Sequence, residues 1–443
     1  MSDLHELTLS AAARGIAAGE LSSEALVTAC LDQVARRDPE VQAWAYLDPD
    51  RALSQARAAD ARQKSGAPLG PLHGVPIGIK DIIDTADMPT ENGSPYFKGR
   101  QPAADATCVA ALRAAGAVIM GKTVTTELAT LSPPKTRNPH NVLHTPGGSS
   151  SGSAAGVASG MMPGALATQT GGSVIRPASF CGIYALKPTF GMISRTGVLL
   201  QSHTLDTIGV YGRCVEDLAL MADCIAGFDA SDPSSYPQGP SRLAAVANEA
   251  PPALPPLAFV KGPAWDVADA DTQQVFSSFV RSLGENCRET ELPILDKVIA
   301  WQRAVQSAEN AAYYGSFVAD DADVFTPALR QRIAAGRGVS AADYIPAIMA
   351  RGNAAGEVEK LLENHAAIVM PAATGPAPAD LGTTGDPIFN GMWTYLGLPA
   401  VTLPLLTVRG MPLGVQLIGS RRDDGRLLRT ARWLAQIFKN CDV

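Results

Sequence analysis

One segment constrains this chain more than any other. Residues 145–182 read TPGGSSSGSAAGVASGMMPGALATQTGGSVIRPASFCG, a run of small residues with a single charge, Arg176. A flexible Gly/Ser linker has no apolar residues threaded through it, and this segment does. It reads as backbone that must approach other backbone closely. A helix of small residues is expected over Ser153–Met161 and a strand over Gly164–Thr168. The chain holds 41 glycines and 33 prolines among 443 residues, more than average usage predicts. The excess concentrates here and again at 231–256, SDPSSYPQGPSRLAAVANEAPPALPP, which reads as a surface excursion or linker.

The rest of the chain alternates helix and strand patterns. Three helices are expected within the first 65 residues, the second capped by Ser22-Ser23-Glu24. Gly66–Gly74 reads as a turn. Val75–Ile79 reads as a buried strand with Lys80 at its end, and Pro76 places either the strand start or a sheet edge there. A helix over Thr107–Ala115 and a strand over Ala117–Met120 follow. Farther on, Leu257–Lys261 reads as a strand, Asp269–Leu283 as a helix, and Glu309–Glu363 as largely helical with a break near Gly336–Val339. Strands are expected at Ala366–Met370, Ala400–Leu405 and Gly414–Ile418, and a closing helix at Asp424–Phe438. The alternation predicts α/β layers.

Composition excludes several classes. Apolar types make up 46% and charged types 18% of the chain, with a formal net charge of −7. Disorder is excluded, and a broad basic surface for nucleic acid or anionic membrane is not expected. The seven cysteines lack a CxxC pair, so reduced thiols and a cytoplasmic location are expected. Acidic residues near Met1 do not match a signal peptide, and no apolar run reaches membrane-spanning length. No HExxH occurs, no lysine follows Gly147 in P-loop spacing, and the six histidines are scattered.

Three features remain that carry chemistry together: Lys80 closing an apolar strand, Ser149-Ser150-Ser151 after Gly147-Gly148, and Ser173 after Thr170-Gly171-Gly172. Read singly, they are a strand-exit lysine, an N-cap cluster and a turn serine. Together they resemble the amidase signature family. The matching segments are Gly74-Val75-Pro76-Ile77-Gly78-Ile79-Lys80-Asp81, Thr145–Ser153 and Thr170–Ser173, with Cys181-Gly182, Leu186–Thr189, Val369-Met370-Pro371, Gly397–Ala400 and Pro412–Gln416 beyond. The likeness is weakest from about 228 to 360.

The resemblance implies one amidase-signature domain over 1–443. It would comprise N-terminal helices (1–65), a signature core (66–227), a variable excursion (228–360) and a C-terminal sheet and helix (361–443). It implies an α/β fold, a mixed sheet with helices on both faces. It further implies a Ser–Ser–Lys triad: Ser173 as nucleophile, Ser149 as bridging serine on a cis peptide, and Lys80 as base. Thr170, Gly171 and Gly172 would supply the oxyanion hole, and Arg176 and Gly148 would bind substrate. No metal and no cofactor are implied. Hydroxyls are weak nucleophiles until a base takes their proton, a buried lysine is neutral enough to do so, and a second serine both donates and accepts.

The chain departs from the common Asp-Thr-Gly-Gly-Ser-Ile-Arg pattern. It has Gln169 for the aspartate, and its arginine comes one position later. The form Gln-Thr-Gly-Gly-Ser-Val-Ile-Arg-Pro resembles bacterial malonamidase. Arg176 is therefore read either as the clamp of a substrate carboxylate or as a structural arginine tied to a protein carboxylate. Asp81, Ser150, Arg137 and Lys187 are read as structural, Cys181 as a packed thiol, and Trp393 and Tyr395 as core residues with a lesser claim on the pocket.

The function expected from these residues is hydrolysis of a non-peptide carboxamide through a serine acyl-enzyme, on a small, carboxylate-bearing amide. The expected partners are that small molecule and a second copy of the chain as a homodimer, with no nucleic acid and no membrane. The alternative is one component of an amidotransferase that works on charged tRNA with partner chains. A non-catalytic binding protein on the same scaffold is disfavoured by the presence of Lys80, Ser149 and Ser173.

Overall fold

The computed structural model describes residues 4–439. Its centre is one 11-stranded mixed sheet, flanked by helices, in the order β1-β3-β2-β4-β6-β5-β10-β11-β9-β7-β8. The strands are β1 (Trp44–Leu47), β2 (Pro76–Lys80), β3 (Val118–Thr123), β4 (Gly164–Gln169), β5 (Tyr184–Lys187), β6 (Thr207–Gly212), β7 (Leu257–Phe259), β8 (Cys287–Glu289), β9 (Ala367–Pro371), β10 (Ala400–Val408) and β11 (Met411–Ile418). β2 runs parallel to β3 and β4, and β7 runs parallel to β8 and β9. The remaining pairings are antiparallel.

The helices are α1 (Leu9–Ala18), α2 (Ser23–Val41), α3 (Pro49–Lys64), α4 (Thr107–Ala114), α5 (Ser151–Ala158), α6 (Ile175–Cys181), α7 (Val215–Ile225), α8 (Leu243–Asn248), α9 (Ala270–Ser282), α10 (Leu295–Asp320), α11 (Pro327–Arg337), α12 (Ala341–Leu362), α13 (Ile388–Leu396) and α14 (Asp424–Lys439). Among the described residues no helix is long and apolar enough to cross a membrane. Six cysteines are free thiols; Cys441 lies outside the described residues.

The small-residue segment acts through close approach. A Cβ on Gly152 would lie 2.1 Å from Ala43 O and 2.4 Å from Val124 N, so only glycine lets α5 reach that backbone. Pro76 opens β2, where its missing N–H costs least, yet β2 is an interior strand between β3 and β4 rather than an edge. β2 is buried along its whole length, which carries the Lys80 side chain into the core.

Three expectations need correcting. β1 interrupts the N-terminal helices: the helical spacing around it hid a four-residue edge strand that ends where Asp48 caps α3. The segment 231–256 is more than a linker, because α8 lies within it and Asp223 accepts from Leu243 N and Ala244 N at its start. The helical stretch expected over Glu309–Glu363 starts earlier, at Leu295, and breaks before α11 as well as before α12, and the short strand β8 precedes it.

Candidate active site

β2, β4 and the loop entering α5 bring Lys80, Ser149 and Thr168 together, while Ser173 lies in the loop between β4 and α6 with no hydrogen bond to either Lys80 or Ser149 among the described residues. Lys80, fully buried, is hydrogen-bonded at 2.7 Å to Ser149 Oγ and at 2.8 Å to Thr168 Oγ1. The Gly148–Ser149 peptide is cis. Burial holds the Lys80 amine well below its usual range, and the Asp206 charge offsets part of that effect. No carboxylate pairs with Lys80 among the described residues. Such a shift favours the neutral amine, the form in which a lysine can accept a proton.

Ser173 is nearly buried, and its Oγ makes no hydrogen bond among the described residues. Its backbone is pinned instead: Tyr211 Oη donates to Ser173 O at 3.2 Å and to Val174 O at 3.0 Å. Gln169, the departure from the common pattern, accepts from Val174 N at 2.8 Å and Ile175 N at 3.0 Å, and donates to Thr394 Oγ1 at 2.9 Å. Thr394 Oγ1 in turn donates to Gly171 O at 2.9 Å. The loop between β4 and α6 is thus held from both sides. The backbone N–H groups of Gly171, Gly172 and Ser173 donate to nothing among the described residues, so they remain open to a developing oxyanion. The Thr170 hydroxyl donates to Asp206, which also accepts from Gln201 N and Ser202 N. Burial pushes the Asp206 carboxyl up to about 6.

Arg176 is fully buried beside this loop. Its Nε donates to Thr384 O at 2.7 Å and its Nη2 to Gly148 O at 2.7 Å. Nη1 has no partner, and it lies 3.0 Å from where a Gly172 Cβ would be. No protein carboxylate forms an ion pair with Arg176 among the described residues. The expectation of an arginine tied to a protein carboxylate is corrected accordingly, because backbone carbonyls hold it. Burial pushes its guanidinium down to about 10.

The residues read as structural occupy structural positions. Ser150 Oγ donates to Thr168 O at 3.2 Å. Asp81 accepts from Glu91 N and lies 3.6 Å from Lys122 Nζ. Lys187 Nζ donates to Leu398 O at 2.6 Å, and Arg137 to Val142 O. Burial pushes the Cys181 thiol up, away from thiolate chemistry. Trp393 Nε1 meets Met370 Sδ, and Tyr395 Oη donates to Ala347 O, both in the core. Sequence reasoning missed Thr168, Asp206 and Thr394. The signals available were a hydroxyl at the end of β4 and a lone acid before β6.

Comparison with known proteins follows from this geometry. A profile of the family described as Amidase matches residues 25–428. A glutamyl-tRNA(Gln) amidotransferase subunit from Chloroflexus aggregans is 36% identical, with 97% of this chain and 96% of the relative covered. Among solved structures, a vestigial protein complex bearing on the origins of an s-triazine catabolic enzyme superposes with a TM-score of 0.91 at 27% identity, covering 97% of this chain and 98% of that one. A glutamyl-tRNA(Gln) amidotransferase subunit from Thermotoga maritima superposes with a TM-score of 0.80 at 27% identity, covering 98% and 95%.

These relatives correct two expectations. The stand-alone carboxamide hydrolase is overturned, because curated relatives spanning nearly the whole chain are named as glutamyl-tRNA(Gln) amidotransferase subunits. The expectation of no nucleic acid among the partners falls with it, since the charge total on which it rested does not report what an assembly binds. The finer likeness to malonamidase, drawn from the position of Arg176, is not what these relatives point to. Motifs, fold and near full-length similarity converge on one statement: the chain belongs to the amidase family.

Proposed function

We propose that the chain is the amide-cleaving component of an amidotransferase that acts on charged tRNA together with partner chains. The observation that carries this reading is the 36% identity with a glutamyl-tRNA(Gln) amidotransferase subunit over 97% of the chain. The buried Lys80–Ser149 pair supports the chemistry assigned to this component.

In this reading Ser173 Oγ attacks the carbon of a small carboxamide. Its proton passes to Ser149 Oγ as the Ser149 proton passes to the neutral Lys80 Nζ. The carbonyl oxygen gains negative charge and is met by the free N–H groups at Gly171–Ser173; one such donor contributes on the order of 3 kcal/mol. The C–N bond then breaks, the nitrogen leaves with the returned proton, and water cleaves the remaining ester. Arg176 Nη1 supports a carboxylate on the amide donor, placed near Gly172. The released ammonia is the species passed on toward the tRNA-borne acyl group.

The test reconstitutes the chain with the partner chains that co-purify with it from its host. A panel of small amides and glutamyl-tRNA is supplied with a magnesium nucleoside triphosphate, because the tRNA-borne carboxylate must be activated before ammonia can displace its oxygen. Ammonia release and amidation of the tRNA, both lost in Ser173→Ala, are expected. Amide hydrolysis with no amidated tRNA in any reconstituted mixture would refute the transferase reading.

A further inference from the structure

A second cavity, of about 460 Å³, lies beside the C-terminal end of α13, and none of Lys80, Ser149 and Ser173 lines it. Its wall carries Arg351, Arg421, Arg422 and His203 with two aromatic rings, Phe190 and Tyr236, and no Asp or Glu. Such a charge balance is unusual for a chain whose net charge is −7. The arginines are poorly neutralised. Arg351 and Arg422 form no ion pair among the described residues, and Arg421 meets Glu359 only at 3.9 Å. The nearby Glu309 is already engaged by the hydroxyls of Ser202, Thr204 and Tyr344.

The guanidinium planes are oriented before any ligand arrives. Arg351 sits 4.7 Å above the Phe190 ring and Arg422 sits 4.1 Å above the Tyr236 ring. Ring contact fixes a guanidinium without neutralising its charge, which leaves the fork of N–H groups for an anion. Burial, and next the Arg421 charge, push Arg351 down to about 10, and Tyr395 and Glu309 offset part of that effect. The volume falls within the range of small-molecule sites and exceeds what a bare inorganic anion fills.

We propose that this cavity binds a phosphate-bearing small molecule. Arg351, Arg421 and Arg422 hold the phosphate, and the organic body lies against Phe190 and Tyr236. The site has a physical link to the catalytic loop. Arg351 Nε donates to Tyr395 O at 2.5 Å and Arg421 Nη2 donates to Leu396 O at 3.0 Å, at the end of α13. One residue earlier, Thr394 holds Gly171 O. A phosphate that competes for those guanidinium N–H groups therefore acts on the helix that supports the oxyanion loop.

The experiment is calorimetric titration of the full chain with inorganic phosphate, ribose 5-phosphate and adenosine monophosphate, at low and high salt. Saturable one-to-one binding of an organic phosphate is expected, competed by inorganic phosphate and weakened by salt. Arg421→Ala combined with Arg422→Ala removes two exposed side chains. It is expected to weaken binding by about tenfold or more with an unchanged melting temperature. Tyr236→Leu, made separately, distinguishes loss of the organic body's contact from loss of charge. Adenosine monophosphate binding more tightly than ribose 5-phosphate identifies a base-bearing ligand; equal affinity identifies a sugar phosphate. Absence of saturable binding at millimolar concentration, or binding unchanged in the double variant, overturns the proposal.

Discussion

Lys80 Nζ lies 2.7 Å from Ser149 Oγ in a fully buried site, and no carboxylate pairs with it among the described residues. The contact is between an amine and a hydroxyl, in surroundings that disfavour the ammonium. Asp206 is the acid whose charge reaches the lysine, and it does so through space while its own oxygens are taken by Thr170, Gln201 and Ser202.

This pair predicts a pH profile. A base works in its neutral form, and burial lowers the Lys80 pKa below its usual 10.5. Amide cleavage therefore rises with pH through a single limb centred well below that value and then levels. Asp206 raises the Lys80 pKa, so Asp206→Asn moves the limb to lower pH. Lys80→Arg, which stays charged, loses the limb together with the activity. The measurement is kcat/KM against pH for the three proteins. A limb at the ordinary lysine position would remove Lys80 as the base.

Residues that pass one proton in sequence fail as a unit. Lys80→Ala, Ser149→Ala and Ser173→Ala are each expected to lower kcat by on the order of 10⁴-fold. Double variants are expected to be no worse than the weakest single one. Single-turnover rates on one amide substrate check this. Additive losses in Lys80→Ala with Ser149→Ala would mean that the two act independently.

The local part of this arrangement was legible in the sequence and the distant part was not. Lys80, Ser149 and Ser173 stand out because glycine and apolar spacing surround each of them. Gln169 stood out only as a departure, because its partner Thr394 is 225 residues away. Arg176 was legible as a cation, but the carbonyl it binds at Thr384 is 208 residues distant. Spacing reports which face of an element is buried; it does not report what packs there from elsewhere in the chain. For the same reason the helical stretch expected from Glu309 left out Gln306 of α10, which lies 3.6 Å from where a Gly171 Cβ would be. The interior position of β2 shows the same limit, since sheet order is a long-range property that Pro76 alone does not carry.

Two neighbouring glycines separate packing from catalysis. A Cβ at Gly172 would lie 2.5 Å from Asn390 Oδ1 and 2.9 Å from Pro387 Cβ, whereas one at Gly171 would meet nothing nearer than 3.6 Å. Gly172→Ala is expected to cost about 1–3 kcal/mol of stability through overpacking. Gly171→Ala is expected to keep the wild-type melting temperature. Thermal melts of both variants, set beside their kcat values, check this. An equal fall in melting temperature would show that the two positions are not distinguished by the space around them.

Arg176 carries the last prediction, because its two roles fail differently. Arg176→Ala leaves Gly148 O and Thr384 O without their donor, which costs about 1–3 kcal/mol whatever the substrate. Nη1 beside Gly172 is unpartnered, and the proposed clamp on a donor carboxylate would add a loss that depends on substrate. On an amide donor bearing a carboxylate, kcat/KM is expected to fall by on the order of 10²-fold, the equivalent of one charged hydrogen bond lost from a buried site. On a neutral amide of the same size it is expected to fall far less. Paired kinetics on the two donors, at a temperature well below the variant's melting point, isolate the ratio. Equal losses on both would leave Arg176 as a support for the Gly148 and Thr384 backbone alone.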